Sequence, residues 1–138
     1  MYRIGRFGQC VTNYETGRIA NGRAFHLYRS SSGTWNKVEI PFALDAVGRS
    51  QIALDSHDNV YVVMPFVRIV TASKASGWTD WSMAFDGVSN GLNAFGEVTI
   101  DRARIPSEIL SILYQEESLG MTPSAVRLID FSLDGWYQ

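Results

Sequence analysis

Two histidines, a single cysteine and a cation set dominated by arginine bound the chemistry open to this 138-residue chain. Of its 12 Lys and Arg residues, only Lys37 and Lys74 are lysine. Arginine presents a planar fork that pairs bidentately with carboxylates and sulfates, which suits acidic sugars; a genomic bias in base composition is the alternative source of the same excess. Cys10 alone cannot make an internal disulfide or a Cys-based zinc site. Asp55, His57 and Asp58 are crowded in the manner of metal ligands, but they fall on a strand-to-strand turn where Asp and Asn supply turn geometry. No metal and no other cofactor is therefore expected. The sequence also holds no phosphate-cradling glycine loop, no G-x-S-x-G elbow and no H-E-x-x-H pair.

The elements that must position any site are short strands. With 46% hydrophobic and 19% charged residues the composition is that of a globular domain, and the length suits one domain. A net charge of −2 argues against nucleic-acid binding. No apolar run reaches the length of a membrane span, and MYRIGRFGQC lacks the apolar core of a signal peptide. Period-two alternation predicts strands over 24–29 and 36–40, then 50–55, 59–65, 67–72 and 78–84, then 96–101, 108–116 and 125–131. Residues 1–22 look too irregular to contribute strands. The stretch IPSEILSILYQEE (105–117) carries conflicting signals, since Pro106 and Ser107 resemble a helix start and its apolar residues fit either period.

An internal repeat resolves that conflict toward strand. SQIALDSHDNVYVVMP aligns with GEVTIDRARIPSEILSILYQ, each copy reading strand, terminal Asp, turn, apolar strand; Asp55 and Asp101 lie 46 residues apart. YRSSSGTWNKVEI echoes TASKASGWTDWSMAF, with Gly33 and Gly77 separated by 44 residues, and FSLDGWYQ with Gly135 starts a third echo. A period of about 45 residues with about four strands per period is the signature of propeller blades.

SSSGTW (30–35), SKASGW (73–78) and SLDGW (132–136) are similar to the Asp-box turn of sialidase-like propellers, although only the last keeps an aspartate. In order, RAFHLYRSSSGTWNKVEIP, GRSQIALDSHDNVYVVMP, ASGWTDW, IDRARI and VRLIDFSL resemble the C-terminal part of the BNR-4 repeat family. The resemblance runs from about Arg23 to the end. It implies an all-β fold of about three four-stranded antiparallel blades, an incomplete part of a seven-bladed β-propeller. The partial blade is 23–41, the full blade 48–85 and the last blade 95–138. It also implies a secreted polysaccharide lyase or α-L-rhamnosidase acting on acidic or rhamnose-containing polysaccharide.

In such propellers the ligand face is built by loops leading into the first and third strands of each blade, and the Asp-box turns lie opposite. The resemblance thus places Arg23, Arg49, Arg68, Asn90 and Asn93 as substrate-binding candidates and His26 with Tyr28 as the catalytic pair. Elimination on a uronate needs a cation for the carboxylate, a base and an acid, roles that suit Arg, His and Tyr. His26 and Tyr28 read equally as a partly buried strand pair. Arg102 and Arg104 fall on the opposite side as packing or surface charge, and the turns Ser30 to Trp35 and Ser73 to Trp78 as hairpin closures with Trp35 and Trp78 packing between blades. The family's principal catalytic histidine is expected on blades this chain does not contain, so the chain alone is expected to be inactive. The competing reading is a non-catalytic carbohydrate-binding or interaction module. Expected partners are polysaccharide and the missing blades or further copies of the chain, with neither nucleic acid nor membrane.

Overall fold

The computed structural model describes residues 22–44 and 49–136. The irregular stretch 1–22, Gly22 excepted, and Cys10 within it lie outside the described residues. The chain divides into two compact units, Met1–Val47 and Gly48–Gln138. The first holds an antiparallel hairpin of β1 (Ala24–Arg29) and β2 (Trp35–Ile40). The second holds two antiparallel meanders. One has four strands, β3 (Gln51–Leu54), β4 (Val60–Met64), β5 (Arg68–Ala72) and β6 (Trp81–Asp86), and the other has three, β7 (Ala94–Asp101), β8 (Ile109–Glu116) and β9 (Val126–Ser132). The fold is all-β, and its two-, four- and three-stranded sheets fall where the repeat divides the sequence. Among the described residues no helix is long and apolar enough to cross a membrane.

The repeat is carried by backbone geometry as well as by residue type. Asp55 and Asp101 each end a first strand, and each turns its Oδ1 back to accept from the backbone N–H two residues on, of His57 and of Ala103. Side-chain capping of this kind is what Asp offers a turn. Each turn then closes on an acidic residue at positive φ, Asp58 at 63° and Glu108 at 54°. The glycines of the three echoes share the left-handed region, with φ of 87° at Gly33, 64° at Gly77 and 86° at Gly135. A side chain at these positions would be strained.

The ambiguous stretch resolves in two parts. Arg102–Ser107 forms a short 3-10 turn that accommodates Pro106, and the left-handed Glu108 ends it. Beyond that point Leu110, Ile112 and Tyr114 are buried at every second residue, so the strand reading holds.

The core of the second unit lies between its two sheets. Ala53, Tyr61, Val63 and Ile69 from one face meet Val98, Ile100, Leu110 and Ile112 from the other. Rings lock the seam: Phe85 meets Phe131 edge-on at 4.8 Å, and Tyr61 lies 5.7 Å from Trp136. Trp136 thus packs between the two sheets, against Tyr61 and Phe131. Trp78 takes a different role, its Nε1–H donating to the Asp58 carbonyl of its own sheet at 2.8 Å, and Trp35 is 64% exposed. Arg102 and Arg104 serve packing, Arg102 reaching Gln51 on β3 and Arg104 bonding Ser111 and Asp130.

At the opposite end, β4 and β5 are joined by a tight link in which Phe66 and Val67 both have positive φ, 64° and 57°. Gly87 closes on this link, and a Cβ there would lie 2.3 Å from the Phe66 carbonyl oxygen. Gly91, at φ +73°, has open space around it. Gly87→Ala is therefore expected to destabilise the fold by about 1–3 kcal/mol through overpacking, and Gly91→Ala by about 1–2 kcal/mol through backbone strain alone. Urea unfolding of the two variants checks the order; a Gly87→Ala protein as stable as wild type would contradict the close approach.

Candidate functional site

The connections at the two ends of the second unit's sheets differ in character. At the end that holds the β4–β5 and β6–β7 links, Asp86 is the organising residue. Its Oδ1 lies 3.6 Å from Arg68 Nε and accepts from the Val88 N–H, while its Oδ2 accepts from the Ser89 hydroxyl at 2.8 Å. Asn90 Nδ2 donates to the Asp86 carbonyl at 2.8 Å. The Ser89 hydroxyl first, opposed by desolvation and then aided by the Val88 and Ser89 N–H groups and the Arg68 charge, holds the Asp86 carboxyl below its ordinary range. The structure thus joins two predicted residues, Arg68 and Asn90, through an aspartate that sequence reasoning left out. Phe66 and Val67, strained non-glycine residues of the kind that gathers at functional sites, directly precede Arg68.

The other predicted residues are placed separately. Arg49 is 88% exposed in its side chain and lies 3.6 Å from Glu97, and the Asn93 carbonyl accepts from the Glu117 N–H. In the first unit Arg23 lies 3.5 Å from Glu39. His26 and Tyr28 share one face of β1, their rings stacked at 5.0 Å and 25°. His26 is 8% exposed, and burial lowers its pKa, leaving a neutral imidazole.

The opposite end carries a cleft of about 910 Å³ bordered by Asp55, His57, Lys74, Glu108, Asp134 and Trp136. Four separate turns contribute to it. Sequence crowding pointed to Asp55, His57 and Asp58; the structure adds Glu108, from 50 residues further on than Asp58. The signal that could have found it is the repeat, because Glu108 and Asp58 occupy the same left-handed position in their turns. One oxygen or nitrogen from each of Asp55, His57 and Glu108 lies within 4.8 Å of the others.

The hydrogen bonds decide what this group does. Asp55 Oδ1 accepts from the N–H groups of His57 and Asn59, and its Oδ2 accepts from Asn59 Nδ2 and the Tyr61 hydroxyl, all at 2.8–2.9 Å. A carboxylate has about four lone-pair sites, so those of Asp55 are spent on the turn. The group consequently does not present three free ligand atoms to a cation. Ser56 Oγ bonds both His57 Nδ1 and Glu108 Oε1. In a Ser-His-acid triad the acid orients the imidazole; here it engages the serine, so a nucleophile relay is not built. What remains is a polar, hydrogen-bonding depression beside the Trp136 ring.

Comparison with protein families, curated proteins and solved structures finds no match to this chain.

Burial acts against the Asp55 carboxylate, but the Asn59, Tyr61 and His57 donors together outweigh it and hold its pKa below the ordinary value. A folded-state pKa below the unfolded one contributes stability that is present above the unfolded value and lost as pH falls through the folded value. Asp55→Asn is expected to cost about 1–3 kcal/mol at neutral pH, since one amide cannot accept all four bonds, and to flatten the loss of stability below about pH 4. Chemical denaturation as a function of pH measures both; an Asn variant with the wild-type acid profile would contradict this role.

Proposed function

We propose that this chain forms blades of a carbohydrate-active β-propeller of the BNR-4 repeat type, secreted in its intact form and acting on acidic or rhamnose-containing polysaccharide. The observation that carries the reading is the repeated unit itself: two sheets, each opening with strand, capping Asp, left-handed acidic residue and apolar strand, at the period of a propeller blade. The stacked His26 and Tyr28 rings support an eliminating activity. A neutral His26 nitrogen would take the C5 proton of a uronate, the electron pair would form the C4–C5 double bond, and the Tyr28 hydroxyl would protonate the departing C4 oxygen. Arg23, in the same unit as His26 and Tyr28, would neutralise the uronate carboxylate. The chain alone binds without cleaving, because three open sheets do not enclose a central site.

Specific observations also favour the second reading, a non-catalytic carbohydrate-binding or interaction module. Each of the three candidate arginines already lies beside a carboxylate, Arg23 by Glu39, Arg49 by Glu97 and Arg68 by Asp86. His26 is buried, whereas a base must reach the proton it removes. The lyase reading and the carbohydrate-binding form of the second reading both require sugar recognition, which an interaction module does not. Affinity electrophoresis in gels containing ulvan or rhamnogalacturonan is expected to retard the chain relative to a neutral glucan gel, with no unsaturated uronate released. Equal mobility in all gels would contradict the proposal. In a longer chain bearing these blades, His26→Ala that abolishes turnover but keeps binding marks the lyase, and unchanged turnover marks the binding module.

A further inference from the structure

Among the described residues of the second unit every cation but one lies beside a carboxylate: Arg49 by Glu97, Arg68 by Asp86, Lys74 by Asp58, Arg104 by Asp130 and Arg127 by Glu116. The exception is Arg102. Its Nη2 donates to Gln51 Oε1 at 3.0 Å and to the Ile52 carbonyl at 3.4 Å, which holds the head against the edge of β3, while Nη1 and Nε meet no acceptor among the described residues. Asp101, its neighbour in the chain, turns its Oδ1 to the Ala103 N–H instead. A guanidinium fixed by neutral acceptors keeps its charge and its remaining N–H donors for an anion. Arg102 borders a pocket of about 310 Å³ whose other walls are Ile52, Ala53, Leu54, Ile105 and Pro106. Ile52 is 39% and Leu54 48% exposed, so two branched side chains stand open beside the charge. The strand that carries them is an edge, since β3 pairs with β4 alone. The Asp55 N–H donates to the Asn59 carbonyl, and hydrogen-bonded pairs alternate along an antiparallel ladder, so Ile52 and Leu54 turn their backbone groups away from β4. Arg102 meets the Ile52 carbonyl; the Leu54 N–H is the next donor along the same edge.

We propose that this pocket binds a short aliphatic carboxylate. The carboxylate accepts from the Arg102 guanidinium and the Leu54 N–H, and the hydrocarbon lies against Ile52, Leu54 and Pro106. Three features set the ligand class. One unpaired guanidinium matches a monoanion, and a phosphate dianion would bring charge that nothing here neutralises. The walls are aliphatic, so the hydroxyls of a sugar acid would lose their water without finding partners. The volume sits at the lower end of small-molecule sites, about 300–1,000 Å³, which admits a chain of about four to six carbons. Because Arg102 is already anchored by Gln51 and Ile52, little side-chain freedom is lost on binding. The pocket lies within one unit and shares no residue with the carbohydrate reading, so the two are independent.

An NMR titration of the full chain with sodium 4-methylpentanoate, referenced to sodium chloride, tests it. The expected result is saturable movement of the Leu54 amide and of the Ile52, Leu54 and Ile105 methyl resonances, with a dissociation constant of about 1 mM for so small a ligand. 4-Methylpentanamide, which has the same shape without the charge, is expected to bind about tenfold more weakly or worse. Arg102→Gln is expected to weaken the acid by about tenfold and to leave the amide's binding as it was, with circular dichroism and thermal unfolding unchanged. Should that variant fail to fold, the comparison of acid with amide on the wild-type chain decides the matter by itself. Absence of saturable shifts at these residues, equal affinity for acid and amide, or an unchanged affinity for the acid in folded Arg102→Gln overturns the proposal.

Discussion

Tyr61 is fully buried between two β-sheets, and its hydroxyl can lie there because the Asp55 carboxylate accepts its hydrogen bond at 2.8 Å. A buried phenol without a partner would cost more than the bond contributes, so the two residues depend on each other. The same carboxylate gathers the His57 and Asn59 N–H groups, which sets the β3–β4 turn. The Tyr61 ring in turn contacts Trp136, beyond the end of β9. One polar pair therefore links the shape of a turn, the pairing of β3 with β4 and the seam between the two sheets. The cleft at this end follows from it: Asp55, His57 and Asn59 form one wall and Trp136 another.

The strands were legible because they are written in two redundant ways. Alternation marks each strand, and the repeat marks its place, so IPSEILSILYQEE could be read as strand against its own helix-like start. The left-handed Glu108 is the physical reason the repeat was the better guide, since it stops the 3-10 turn and starts β8 in extended geometry. The site was less legible. Arg68 and Asn90 are 22 residues apart in sequence and are joined only by the fold, through Asp86. Nothing in a run of residue types says that an arginine will find a carboxylate 3.6 Å away. Glu108 and Trp136 enter the cleft from distant turns in the same way. Trp78 shows the limit of motif reading: its motif is shared with Trp35, yet one donates to the Asp58 carbonyl and the other stands in solvent.

The division of labour between the ends of the sheets bears on function. At the end that carries the cleft, strong donors and acceptors are consumed in holding turns, and Asp55 is the clearest case. At the other end, backbone strain at Phe66 and Val67 is tolerated because Gly87 lets the chains approach, and this fixes Arg68 against Asp86. Strain there costs of order 1–3 kcal/mol per residue, which the buried strands on either side offset. Stacked sheets supply that rigidity.

The Tyr61 seam joins the two sheets of the second unit into one cooperative body. Native-state hydrogen exchange across low denaturant concentrations tests it most directly. The slowest amides of β4, β5 and β8, including those of Val62, Val70 and Ile112, are expected to exchange through a single opening of equal free energy. Distinct opening energies for the two sheets, with β7–β9 exchanging well before β3–β6, would contradict it.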